Sequence, residues 1–310
     1  MKLAALDPAE LSARLRGPGL VLRTGPFWLR IASQLDSVAG ALATLYAEQE
    51  TLLAGQPQPF CDFDVRIDAV SGLRRWLRPQ AQFLFDALKP FKPMALPHAS
   101  AMMEWGLNWC VSSHCHQYII IHAAVVERGG RAMLLPAPPG SGKSTLCAGL
   151  VNRGWRLLSD ELTLIDPVSG ELVPLARPVS LKNKSIDVIK AFAPEARFGP
   201  LTRDTVKGTV SHMRPPAASV QRDTERARLG WVVFPRYMAG SALNPMPLAR
   251  GEALMALVDN AFNYHLHGRQ GFDTLCDGVA AADCLRFEYS DLEQACAYFS
   301  ALADAKEPLR

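Results

Sequence analysis

Residues 118–166 read YIIIHAAVVERGGRAMLLPAPPGSGKSTLCAGLVNRGWRLLSDELTLID and decide the fold of the chain. Two apolar runs, residues 118–126 and 131–135, are separated by the turn signal ERGG, so both are predicted to be strands. The second run leads directly into a glycine-rich loop at residues 137–144. A helix is predicted to begin near Lys143, because leucines recur on one face and a glycine follows the last turn. The order strand, loop, helix predicts an α/β domain.

The loop APPGSGKS matches the phosphate-binding P-loop in a form with alanine at the first glycine position. Its two glycines allow consecutive backbone N–H groups to turn toward phosphate oxygens, and the helix start adds the positive end of its dipole. A turn that binds no nucleotide is disfavoured, because strand, loop and helix all fall where the motif requires them. The predicted cofactors are ATP and Mg²⁺, and the predicted binding set is Pro138, Pro139, Gly140, Ser141, Gly142, Lys143, Ser144 and Thr145.

A further apolar strand, predicted over residues 155–165, carries the adjacent carboxylates Asp160 and Glu161. Asp160 lies 17 positions after Lys143 (160 minus 143), so this strand is the next element after the helix. Neighbouring side chains on a strand point to opposite faces unless a bulge or a strand end turns both the same way. Such an irregularity would let both carboxylates reach one metal ion.

The order of His122, APPGSGKST and RGWRLLSDE resembles the catalytic core of HPr kinase/phosphorylase. It is similar, more distantly, to the P-loop and acidic segment of phosphoenolpyruvate carboxykinase. The similarity is strongest to HPr-kinase-related proteins that keep this core and have a different N-terminal half. It covers about residues 118–188, with a weaker likeness to the end of the chain.

The resemblance implies roles for individual residues. Lys143 matches the phosphate-binding lysine and Ser144 the Mg²⁺-binding hydroxyl, while Asp160 matches the aspartate that accepts the proton of the substrate hydroxyl. Glu161 replaces a second aspartate that helps to hold the metal. The implied metal ligands are therefore Ser144, Glu161 and Asp160.

Two further residues complete the implied catalytic set of Asp160, Lys143, His122 and Lys182. His122 matches the histidine near the catalytic aspartate. Lys182 lies roughly where the family has an arginine, but the glycines of that family segment are missing here. We therefore carry over the kinase activity and not the phosphorylase activity.

Composition limits the class of protein. A chain of 310 residues with 49% hydrophobic content can form one large domain or two ordinary ones. A formal net charge of +3, without long runs of like charge, gives no case for a nucleic-acid partner. The absence of a signal-peptide pattern and of any bilayer-length apolar segment favours a cytoplasmic protein without membrane contact. The seven cysteines form no CxxC pair, as expected for reduced thiols.

The predicted fold is α/β: a kinase domain of HPr kinase type at residues 98–310, preceded by a smaller α+β domain at residues 1–97. The kinase sheet is predicted to be mixed because hairpins flank the loop-bearing strand. For the N-terminal domain, substrate recognition, self-association into a homo-oligomer and a purely structural role all remain open. Its predicted elements are a helix in residues 1–17, two strands in 19–32, a helix over 35–49, a strand over 60–69 and a strand pair in 76–96.

The segment 177–228 is basic, with eleven Lys or Arg residues against five Asp or Glu residues. Glycine, proline and threonine are frequent in residues 199–219, which are predicted to be irregular. The segment is either a lid over nucleotide and substrate or a solvated surface loop, and the lid is favoured for Lys182. His212 is predicted to be a loop residue rather than a base.

These observations predict an ATP-dependent kinase that phosphorylates a serine or another hydroxyl of a protein or peptide. A small-molecule kinase on the same core is the first alternative. A non-catalytic ATP-binding regulator is the second, disfavoured because the motif residues are intact.

Overall fold

The computed structural model describes residues 1–52, 56–72, 76–138 and 140–305. These residues form an α/β fold with two mixed β-sheets and a small antiparallel sheet. The described α-helices are α1 (Pro8–Arg16), α2 (Asp36–Leu45), α3 (Ala99–His114), α4 (Lys143–Val151), α5 (Lys184–Phe192), α6 (Ala217–Gln221), α7 (Arg250–Asp259), α8 (Tyr264–Ala281) and α9 (Leu292–Asp304). The strands in chain order are β1 (Leu20–Thr24), β2 (Phe27–Ala32), β3 (Phe63–Ala69), β4 (Gln80–Phe85), β5 (Met94–Ala95), β6 (Ile119–Arg128), β7 (Arg131–Pro136), β8 (Arg156–Ser159), β9 (Leu162–Ile165), β10 (Leu172–Val173), β11 (Val179–Lys182), β12 (Thr202–Thr205), β13 (Gly208–Met213), β14 (Arg228–Tyr237), β15 (Asn244–Pro247) and β16 (Asp283–Tyr289).

The N-terminal half forms a sheet in the order β1-β2-β3-β4-β5. β2 and β3 are parallel and the other neighbours are antiparallel. The predicted elements are confirmed with small shifts: the first helix is capped by the Asp7 carboxylate, which accepts from the Ala9 N–H, and α2 ends at Leu45. Alternation in β3 buries Phe63, Val65 and Ile67.

α3 joins this sheet to the second half of the chain. Its Cys110 and Val111 share one apolar core with the N-terminal strands and with Ile120 and Leu164 of the central sheet. The core is therefore continuous across the predicted domain boundary between residues 97 and 98, and the boundary itself stays a prediction.

The central sheet is mixed, as predicted from the hairpins on either side of the loop-bearing strand. Its order is β10-β9-β6-β7-β14-β16-β15, and β8 pairs with β6 beside β9. β7 is parallel to β14 and β14 to β16, whereas the remaining pairs are antiparallel. α4 and α9 share an apolar core on one face, and α7 and α8 share a second core on the other. No helix in the described part of the chain is both long enough and apolar enough to cross a bilayer.

The prediction of an irregular segment at residues 199–219 is wrong. β12 and β13 form a hairpin, β11 pairs with β13, and α6 follows. Gly208 has φ +81° and closes the hairpin turn, while Val210 and Met213 turn inward to the core. Valine and threonine favour a pleated surface of this kind. His212 therefore lies buried within β13 and not in a loop.

Candidate active site

The glycine-rich loop connects β7 to α4, and Gly142 is the residue before the first helical turn. Gly140 and Gly142 have φ values of +88° and +91°, a region that other residues rarely adopt. A Cβ on Gly142 would also lie 2.7 Å from Tyr289 Oη. The loop conformation thus depends on its glycines. Pro139, one of the predicted binding residues, lies outside the described residues.

The loop is fastened to the ends of two strands. The Tyr237 N–H donates to the Ser141 carbonyl at 2.8 Å, and the Tyr289 hydroxyl donates to the Gly142 carbonyl at 3.1 Å. The Gly142 carbonyl also accepts from the Leu146 N–H at 2.9 Å, which begins the hydrogen bonding of α4. The first N–H groups of α4 have no partner within the helix. A helix start of this kind attracts an anion.

Lys143, the first residue of α4, is only 8% exposed. Its Nζ lies 3.3 Å from His122 Nε2 on β6. Burial, followed by the charge of Lys143, lowers the pKa of His122 to about 4. The imidazole is therefore neutral at physiological pH, and its Nε2 can accept a hydrogen bond from the ammonium group. Burial lowers the pKa of Lys143 as well, with Asp160 and Glu161 acting in the opposite direction.

Asp160 lies at a break in the predicted strand. β8 and β9 both pair with β6, but the ladder is interrupted between Ser159 and Leu162. This irregularity turns the Asp160 carboxylate toward α4, where its Oδ2 accepts from Ser144 Oγ at 3.3 Å and from the Ser180 N–H at 2.9 Å.

The Asp160 carboxylate is buried, at 4% exposed. Its Oδ1 has no hydrogen-bond partner within the described residues. Burial raises the pKa of Asp160 to about 6, although the nearby charge of Lys143 opposes the shift. A buried carboxylate oxygen without a partner is costly, and such atoms are common where a ligand binds.

Glu161 faces a different set of partners. Its Oε2 accepts from Asn108 Nδ2 of α3 at 2.8 Å. Burial alone would raise the pKa of Glu161, but the charges of Lys182, Lys143 and Lys207 outweigh it and hold the pKa below its usual range. The pKa values of the two adjacent carboxylates are therefore shifted in opposite directions. Such a pair suits one proton acceptor and one permanently ionised group.

The remaining predicted residues lie on β11, on α4 and in the glycine-rich loop. Lys182 ends β11 and acts on Glu161 through its charge. Thr145 lies in the first turn of α4, and Pro138 is exposed in the loop. Hydrogen bonds and electrostatic contacts connect the predicted residues His122, Lys143, Ser144, Asp160, Glu161 and Lys182, and His122 contacts Lys143 instead of Asp160.

A buried polar network behind Glu161 was not anticipated from the sequence. Arg177 donates to Asn108 Oδ1 at 2.6 Å and forms a 2.7 Å ion pair with Glu104, whose carboxylate also accepts from the Tyr46 hydroxyl. The network joins the N-terminal half to the Asn108 amide that holds Glu161. The only local signal was polar Glu104 and Asn108 inside an otherwise apolar helix.

Replacing Arg177 by alanine is expected to lower the free energy of unfolding by about 3–5 kcal/mol, because the buried Glu104 carboxylate loses its counter-ion. Urea unfolding of the purified variant measures this loss. Arg226→Ala is the matched control, since Arg226 pairs with Asp166 at the surface and such pairs contribute about 0–1 kcal/mol. Equal losses in the two variants would contradict a structural role for the buried network.

The chemistry of the site residues suits a phosphate group bound together with Mg²⁺. Ser144, Asp160 and Glu161 offer the hard oxygen ligands that Mg²⁺ prefers. The described residues contain no group of three or more His, Cys, Asp or Glu side chains able to hold a metal by themselves. Mg²⁺ commonly binds one or two carboxylates together with substrate phosphates and waters. The unpartnered Asp160 Oδ1 and the nearby Ser144 hydroxyl fit that arrangement.

No known family profile matches the chain. No curated protein matches it. Among solved structures, the Hpr(Ser) kinase/phosphatase from Coxiella burnetii is 9% identical, with 58% of this chain and 91% of that chain covered and a TM-score of 0.26. This is a weak structural relation.

Proposed function

We propose that this protein is an ATP-dependent kinase that transfers the γ-phosphoryl group to a hydroxyl. The observation that carries the proposal is the contact between Ser144 and Asp160, 3.3 Å apart at the start of the helix that follows the glycine-rich loop. This contact joins a phosphate-binding loop to a buried carboxylate. Phosphoryl transfer requires positioning and charge neutralisation more than covalent chemistry.

Asp160 is the proposed proton acceptor. The oxygen of the substrate hydroxyl forms a bond to the γ-phosphorus. The bond from that phosphorus to the β–γ bridging oxygen breaks, and ADP leaves with the electron pair. The hydroxyl proton passes to Asp160, which burial makes a stronger base than an ordinary aspartate, with a pKa raised to about 6 in the metal-free protein. Its burial also keeps bulk water away from the reacting atoms.

Lys143 would neutralise charge on the transferred group from inside the loop, and neutral His122 would hold the Lys143 ammonium in place. Mg²⁺, held by Ser144 and Glu161 with the phosphates, would supply further charge neutralisation. Glu161 suits this role because neighbouring lysines keep its pKa low. Lys182, the last residue of β11, would also stabilise the charge of the transferred phosphoryl group.

The proposed acceptor is a serine or another hydroxyl of a protein or peptide, by resemblance of the loop and the Asp160 strand to HPr kinases. Recognition would then fall to the N-terminal sheet and to the β12–β13 hairpin, which lies next to α3. A small-molecule kinase and a non-catalytic ATP-binding regulator use the same loop and are distinguished by the assay below.

The test is a transfer assay with γ-labelled ATP, Mg²⁺ and an extract of the source cells, run with the wild-type protein and with Asp160→Asn. Products are resolved by gel and by thin-layer chromatography. Label on a discrete protein or peptide, seen only with the wild type, is the expected result. Label on a small molecule would establish the first alternative. ATP binding without transfer would establish the second.

A further inference from the structure

A cleft of about 500 Å³ opens beside the glycine-rich loop. Pro138, Gly140 and Ser141 form one side of it, and the ends of β14 and β16, β15 and α7 form the rest. Small-molecule sites typically have volumes of about 300–1,000 Å³. The cleft is thus large enough for a ligand and is continuous with the loop proposed to hold phosphates.

The walls of the cleft are largely apolar, and its positive and negative side chains are equal in number. Phe234, Met246 and Ala256 contribute apolar surface. The charged side chains on its rim form two ion pairs, Arg236 with Glu288 at 3.2 Å and Arg286 with Glu252 at 2.9 Å. A cleft with two positive and two negative side chains does not select an anion. It suits an uncharged ring system with hydroxyl groups, because the rim carboxylates can accept hydrogen bonds.

An aromatic side chain stands at the boundary between loop and cleft. Tyr237 is 51% exposed, and its ring packs edge-to-face on Tyr289 with a centroid separation of 5.9 Å. The Tyr237 N–H donates to the Ser141 carbonyl, which joins the Tyr237 backbone to the loop. An exposed aromatic ring at this boundary offers a stacking surface for a planar ligand.

We propose that this cleft binds the nucleoside part of the nucleotide, with the base against the apolar walls and the ribose hydroxyls toward Glu252 or Glu288. This inference rests on the proposed function, since the phosphates must occupy the adjoining loop. The loop binds what is charged in the nucleotide, and the neutral cleft binds what is uncharged.

The experiment compares two probes by titration calorimetry: Mg·ATP, which has a nucleoside, and Mg·tripolyphosphate, which has none. Ala256→Trp and Met246→Trp fill the cleft from different walls. Each is expected to weaken Mg·ATP at least about tenfold and to leave Mg·tripolyphosphate unchanged, which also shows that the loop is intact. Met255→Trp, on the same helix at a residue 59% exposed, is the matched control and is expected to change neither affinity.

Several outcomes would overturn the inference. Unchanged Mg·ATP affinity in both filled variants would show that the nucleoside lies elsewhere, and the cleft would then be free for the acceptor. An equal loss for both probes would show that the substitutions disturb the loop instead. If the wild-type protein binds neither probe, the proposed function itself fails, a result separate from failure of the cleft alone.

Discussion

Asp160→Asn is expected to lower kcat by about 10²–10⁴-fold, the usual contribution of a positioned general base. Asparagine keeps the shape of the side chain and an oxygen that can accept from the Ser180 N–H. It cannot take the proton of the acceptor hydroxyl. Binding of Mg·ATP is expected to change less than turnover, because Ser144 and Glu161 would still hold Mg²⁺ while the proton acceptor is lost. Single-turnover transfer and calorimetry on the same preparation measure the two quantities.

The same substitution is expected to stabilise the metal-free protein by about 1–3 kcal/mol at about pH 8. The pKa of Asp160 is raised to about 6 from 3.8, mainly by burial. Between these two values the native state binds more protons than the unfolded state. The stability of the wild type therefore falls as pH rises from about 4 to about 6. The advantage of Asp160→Asn should accordingly vanish near pH 4, where the wild-type carboxyl is protonated.

Asp166→Asn is the matched control at the end of β9. Backbone N–H groups of Val168 and Ser169 and the side chain of Arg226 bind the Asp166 carboxylate, and together they outweigh burial and lower its pKa. Its substitution should lower stability at neutral pH and leave transfer intact, the opposite of both effects at Asp160. Wild-type turnover in Asp160→Asn would exclude Asp160 as the base. A loss of stability in Asp160→Asn at about pH 8 would contradict the costly burial of its charge.

The local part of the site could be predicted because the sequence signals are local. Glycines at fixed spacing, an apolar run before them and helical periodicity after them place the loop between β7 and α4. The sequence around the two carboxylates was compatible with either a regular strand or an interrupted one. The structure has the interrupted form, since β8 and β9 pair with β6 on either side of the break.

The supporting part of the site could not be predicted because its contacts are distant in sequence. Asn108 and Glu161 are 53 positions apart, and Arg177 and Tyr46 are 131 apart. No periodicity encodes such pairings, which follow from the packing of α3 between the two mixed sheets. β16 was not predicted, although Leu285, Phe287 and Tyr289 alternate with Arg286 and Glu288 in the period-2 pattern of a strand.

Lys143→Met is expected to reduce transfer by about 10²–10³-fold, the loss that follows removal of one preorganised charge stabiliser. The same variant should bind Mg·ATP and Mg·tripolyphosphate about 10–100-fold more weakly, because a charge-assisted contact worth about 1.5–3 kcal/mol is lost. Methionine has a similar length and no charge to bury. Because burial lowers the pKa of Lys143, its removal should leave the free energy of unfolding unchanged or raised.

Lys184→Met is the control for Lys143→Met, since Lys184 is exposed at the start of α5 and its loss should leave transfer and binding unchanged. Unaltered tripolyphosphate affinity in Lys143→Met would mean that the phosphates are held elsewhere. Lys143→Met should lower the affinity for both probes, whereas Ala256→Trp should lower the affinity for Mg·ATP alone. If both patterns are observed, the phosphates lie against a buried cation at the helix start and the nucleoside lies against a neutral wall. The Ser144–Asp160 contact then lies at the phosphate end of the nucleotide, where a γ-phosphoryl group would leave.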